Sequence, residues 1–198
     1  MRTALGIPKS VDILSHIHTL PPTEQSTSMT MIQEIESTAM LQMIPSAGLV
    51  ELMTYLDSRR LKKAICTRNF DGPVAHLRNK FLAGIEFSPV VTREFRPPKP
   101  DPAGILHIAK TWDVLEREGE GEGEGDARGL IMVGDSLDDM AAGRRAGAAT
   151  VLLRNDVNGE LVEHGFTDCV VGRLDELIEV LERGFEEVDR SAVEGLQE

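Results

Sequence analysis

The stretch Leu130-Ile131-Met132-Val133-Gly134-Asp135-Ser136-Leu137-Asp138-Asp139 constrains this chain more than any other. An apolar run of strand type delivers an acidic cluster straight onto a helix start. The same strand-then-helix order recurs along the chain. Short apolar runs at 61–66, 85–91, 129–133, 149–153 and 169–171 read as strands. Helical patterns at 74–82, 103–115, 137–146 and 174–181 fall between and after them. Strands alternating with helices predict an α/β, Rossmann-like fold with a mostly parallel sheet covered on both faces. Ligands of such sheets bind beyond the carboxyl ends of the strands.

Residues 1–44 break that alternation and read as a small helical subdomain, with an α/β core over 45–185. Val11, Ile13, Leu14, Ile17 and Leu20 share one helical face that Pro21-Pro22 interrupts. A second helix is predicted over 23–44, with Met29, Ile32, Ile35, Ala39, Met40 and Met43 as core filler. Another helix follows over 48–58. The segment 116–129, with its Glu-Gly repeats, cannot support a packed element and reads as a solvated insertion. Residues 186–198 read as a tail.

Composition excludes several classes. A net charge of -12 without a basic stripe argues against nucleic acid as a partner. Two cysteines, Cys66 and Cys169, form no disulfide framework and suit a reducing compartment. The chain start lacks a secretory h-region, and no apolar stretch reaches the roughly 18 residues of a membrane span, so a cytoplasmic protein is expected. The five histidines show no metal-ligand spacing.

Three positions past strand ends carry chemistry. Asp135 and Asp139, at i and i+4 on a strand-to-helix junction, can face one hard cation such as magnesium. The same residues suit a plainer use, with Asp135 or Ser136 capping the helix and Asp138 and Asp139 complementing its dipole. Lys99 sits among prolines in Arg96-Pro97-Pro98-Lys99-Pro100-Asp101-Pro102, where a stiffened loop can aim it at phosphate; a solvated lysine is the alternative. Thr67, followed by Arg68 and Asn69, ends a strand and can hydrogen-bond a phosphate oxygen or cap its own turn.

Thr67, then Lys99-Pro100-Asp101-Pro102, then Gly134-Asp135-Ser136-Leu137-Asp138-Asp139, resemble motifs II, III and IV of the haloacid dehalogenase superfamily. The likeness is to its phosphoglycolate-phosphatase-like branch and extends over nearly the whole chain. The resemblance implies magnesium-dependent hydrolysis of a small phosphorylated metabolite. Thr67, Arg68, Asn69 and Lys99 would bind phosphate, Asp135 and Asp139 the magnesium, and 1–44 would be a helical cap.

The superfamily's first motif, an Asp-x-Asp pair after an N-terminal strand, has no match before Thr67. Asp12 has neither a preceding strand nor a second Asp two residues on. The resemblance gives that first Asp the role of nucleophile, so whether this chain is an active enzyme is left open. A binding or regulatory derivative and an N-terminally shortened phosphatase stand as alternatives. The resemblance also puts the motif I strand in the middle of the sheet. Its absence predicts that the gap closes, is filled by another segment, or takes a strand from a second copy through exposed sheet edges, with homodimerisation or marginal stability as the result.

Overall fold

The structure, a computed structural model, describes residues 3–8, 11, 13–114 and 126–185. Asp12, most of the Glu-Gly insertion and the tail lie outside the described residues. The chain divides into two compact units, Met1–Ile44 and Pro45–Glu198.

The first unit is a helical pair, α1 (Ile13–Thr19) and α2 (Pro22–Leu41), packed on one another. Pro22 stands in the first turn of α2, where its missing N–H costs nothing. Ile17 and Ile32 are buried, but Met29 and Ala39 are exposed. The expected core role therefore holds for only part of the α2 stripe, because a helix pair buries only the seam between its members.

The second unit runs α3 (Leu49–Ser58), β1 (Ile65–Cys66), α4 (Asp71–Phe81), β2 (Val90–Val91), α5 (Ala103–Thr111), β3 (Ile131–Gly134), α6 (Leu137–Arg145), β4 (Ala149–Leu153), β5 (Cys169–Val171) and α7 (Glu176–Arg183). All strand pairs are parallel, but they form two ladders, β1-β2 and β3-β4-β5. Among the described residues no strand lies between β1 and β3. The first ladder is much shorter than the apolar runs predicted at 61–66 and 85–91. Pro89 offers no N–H, so beyond it the runs are joined by Ser88 N donating to Lys63 O at 2.8 Å; among the described residues the other edge of β1 has no ladder partner.

Period-2 alternation sends neighbouring strand residues to opposite faces. Leu130 and Met132 pack with Ile105 and Ile108 of α5 and Ala142 of α6. Ile131, Val133 and Val151 pack with Leu52 of α3 and with Leu174 and Leu177 beside and within α7. Helices thus cover both faces, as the alternation of elements requires. Gly143 sets the approach of α6, since a Cβ there would stand 2.8 Å from Met132 Cβ and Thr150 Cγ2. A buried polar knot fixes β4 against β5. Asp168 accepts from Arg144 at 2.9 Å, from Thr150 N at 2.8 Å and from the Thr150 hydroxyl at 3.0 Å.

Candidate functional site

Lys99 is the hub of the site. Its loop carries the ammonium under the carboxyl ends of two strands. Nζ donates to the carbonyl of Cys66, the last residue of β1, at 2.7 Å, and to Asp139 Oδ1 just past β3. Only 9% of its side chain and 11% of that of Asp139 are exposed. The solvated-lysine alternative is excluded, and β1 and β3 must end on the same side of the molecule. Of the three N–H bonds of an ammonium, two are committed among the described residues.

Asp139 is held from every side. Its Oδ2 accepts from Asp135 N and Ser136 N at 3.2 Å each and from the Ser136 hydroxyl at 2.7 Å. Ser136 in turn caps α6 by accepting from Asp139 N, which completes a capping box. The i, i+4 spacing suggested that both carboxylates face one ion. Here Asp139 is buried and fully engaged, because a helix start needs its orphan N–H groups paired. The carboxylate of Asp135 is exposed, and no hydrogen bond to it is seen among the described residues. Gly134 permits this closeness, since a Cβ on it would lie 2.4 Å from Asp139 Cβ.

Thr67 follows β1 directly. Its N–H donates to Val91 O at 2.8 Å, and its hydroxyl accepts from Asn69 N at 3.1 Å. The hydroxyl proton is still available to donate. Arg68 pairs with Asp138, linking the loops after β1 and β3 at the surface. Its guanidinium is spent on that carboxylate, and the pair is exposed, a class of contact worth little stability. Asn69 is exposed, with its backbone C=O accepting from Arg93 N at 3.0 Å.

Both cysteines are free thiols. Burial pushes the Cys66 thiol up despite the opposing pull of Lys99. A thiol so held is a poor nucleophile at neutral pH.

Asn158 belongs to the site although no sequence pattern singled it out. It is buried, and its amide donates to Asp135 O at 2.9 Å and to Leu153 O at 3.0 Å, while Asn155 N donates to its Oδ1 at 2.8 Å. It ties the Asp135 backbone to the end of β4. The polar turn after β4, at the carboxyl end of a parallel strand, was the available signal. Asn158→Ala is expected to cost about 1–3 kcal/mol, since the main-chain groups it serves lose their partner. Thermal melts would register about 2–4 °C for each kcal/mol in a chain of this size.

Among the described residues no group of three or more His, Cys, Asp or Glu side chains is placed to hold a metal ion. No described helix is long and apolar enough to cross a membrane.

The chain is thus a parallel α/β core with a buried Lys–Asp pair, a strand-end hydroxyl and an exposed carboxylate gathered at the carboxyl ends of its strands. The family model for haloacid dehalogenase-like hydrolases matches residues 12–147, and the chain belongs to that family. It is 43% identical over 188 residues to an uncharacterized hydrolase from Saccharomyces cerevisiae, covering 92% of this chain and 81% of the relative. A haloacid dehalogenase-like hydrolase domain-containing protein from Arabidopsis thaliana is 36% identical, covering 90% and 70%. The fold is also that of a hydrolase from Pseudomonas syringae (TM-score 0.70, 20% identity, 92% and 87% covered). A predicted phosphoglycolate phosphatase from Haemophilus somnus shares it as well (TM-score 0.66, 16% identity, 82% and 68% covered).

Proposed function

We propose that the strand ends of β1 and β3 form a phosphate-monoester site with a magnesium ion, the hydrolytic site of a small phosphorylated metabolite. The observation that carries this reading is the buried Lys99, which among the described residues commits two of its three N–H bonds. Thr67, directly after β1, has a hydroxyl proton to offer a phosphate oxygen. Magnesium is commonly held by one or two carboxylates together with waters and substrate phosphate. Asp135, exposed at the neighbouring strand end, fits that habit; Asp139 would steady the loop that presents it. When bound, the ion would neutralise phosphate charge and polarise its P–O bonds. Lys99 places a fixed positive charge where negative charge builds up, and Thr67 orients the phosphate.

A second reading, a protein that binds phosphate esters without turning them over quickly, rests on the binding groups Lys99 and Thr67 alone. The two free cysteines suit a cytoplasmic protein under either reading.

The test measures hydrolysis of an aryl phosphate, and stabilisation by inorganic phosphate, with magnesium and with EDTA. Phosphate is expected to raise the melting temperature only with magnesium. Asp135→Asn should weaken that response about 100-fold or more in magnesium concentration, the upper range for disturbed metal sites. Magnesium-dependent turnover lost in Asp135→Asn would establish the enzyme, and phosphate binding without turnover the second reading. An identical phosphate response in both proteins, or none in either, would sink the site.

A further inference from the structure

We infer that Asn158 is a positioning residue for the cation: its side-chain amide fixes the Asp135 backbone and so sets how tightly the Asp135 carboxylate takes a divalent ion. This deepens the phosphate and magnesium reading above and rests on it. The ladder between β3 and β4 ends at Gly134 opposite Leu152. The next rung would join Asp135 to Leu153, and the Asn158 amide stands in its place. Nδ2 donates to Asp135 O at 2.9 Å and to Leu153 O at 3.0 Å. Oδ1 accepts from Asn155 N at 2.8 Å, which leaves the amide only one way round. The turn uses two donors and one acceptor on a short planar group. An aspartate has no donors to offer it, and a glutamine is one carbon longer.

The Asp135 α-carbon is thereby held through both of its peptide groups. On one side Asp135 N donates to Asp139 Oδ2 at 3.2 Å. On the other, the Asp135–Ser136 peptide is held at both edges. Ser136 N donates to Asp139 Oδ2 at 3.2 Å, and the Asp135 carbonyl accepts from Asn158. The Asp135 carboxylate itself is exposed, and no hydrogen bond to it is seen among the described residues. A fixed backbone under such a carboxylate leaves only side-chain torsions to be ordered when an ion arrives. Preorganisation of that kind raises affinity by lowering the ordering cost. Asn158 is 5% exposed, so it acts on the ion through Asp135 and not by contact. Removing the hydrogen-bonding partners that orient metal ligands typically lowers metal affinity by about 10–100-fold.

The test follows manganese(II) binding by EPR in the presence of inorganic phosphate, and the magnesium dependence of the phosphate-induced rise in melting temperature. The 198-residue chain is compared with Asn158→Ala and with Asn158→Leu, which keeps the branched skeleton without hydrogen-bonding atoms. Asp168→Ala serves as a destabilised control away from the site. Any variant not fully folded is titrated in trimethylamine N-oxide, which favours the compact state. Both Asn158 variants are expected to need about tenfold more cation for half-saturation. At saturating magnesium their phosphate half-point should return to that of the wild type, because Lys99 and Thr67 are untouched. Asp168→Ala should titrate with cation as the wild type does. A wild-type cation half-point in both Asn158 variants would overturn the inference and leave Asn158 a structural tie. An equal shift in Asp168→Ala would overturn it too, since the shift would then follow stability. A wild type that binds no manganese and shows no magnesium-dependent phosphate response would overturn the phosphate and magnesium reading itself, and this inference with it.

Discussion

Replacing Lys99 by methionine is expected to cost about 3–5 kcal/mol of stability, because it strands the Asp139 carboxylate in a site that water hardly reaches. Asp139 would keep its three donors from the α6 start, but would lose its countercharge. Phosphate stabilisation should disappear in the same variant, since the ammonium that would meet the ligand is gone. Urea denaturation of the wild type, Lys99→Met, Asp139→Asn and the double variant separates the terms. The double variant should recover part of the loss, as coupled neighbours do. Strictly additive losses would mean that the pair contributes nothing as a pair, and the Lys99 hub would be misread.

Asp168→Ala should lose about as much stability, about 3–5 kcal/mol, for the same physical reason at a different place. The Asp168 side chain is 1% exposed and that of its partner Arg144 13%. Truncation leaves a guanidinium short of its carboxylate and the Thr150 N–H without its acceptor. Here the consequence for ligand should differ. The hydrogen bonds of the knot run among Asp168, Arg144 and Thr150, so the folded fraction of Asp168→Ala should keep the phosphate response that Lys99→Met loses. Measured against a native stability of about 5–15 kcal/mol, either loss is readily resolved. Equal loss of the phosphate response in both variants would show that the response reports folding and not the site.

The alternation of apolar runs with helical patterns was enough to assign the α/β class, because parallel strands under two helical layers need apolar residues on both faces. The run through β3 and α6 was legible in detail, since Gly134, the Ser136 cap and Gly143 are demanded by local geometry. Thr67, Lys99 and Asp135 could be selected because each follows a strand end. Strand lengths could not be read in the same way. Residues 61–64 are as strand-like in pattern as Ile65 and Cys66, but a ladder needs repeated pairing, and Pro89 interrupts it, leaving Ser88 N to donate to Lys63 O at 2.8 Å. Asn158 escaped notice because an asparagine in a polar turn looks the same whether or not it is buried.

Local chemistry in the sequence determined which residues stand at strand ends, where the α6 helix begins, and that the protein is of α/β class. Only the tertiary structure decided how the two aspartates divide their work. Spacing put both on one junction, and packing turned Asp139 inward to Lys99 and left Asp135 in solvent. It likewise decided that the parallel strands form two ladders. Pairing partners and burial are set by residues distant in sequence, and no periodicity along the chain records them.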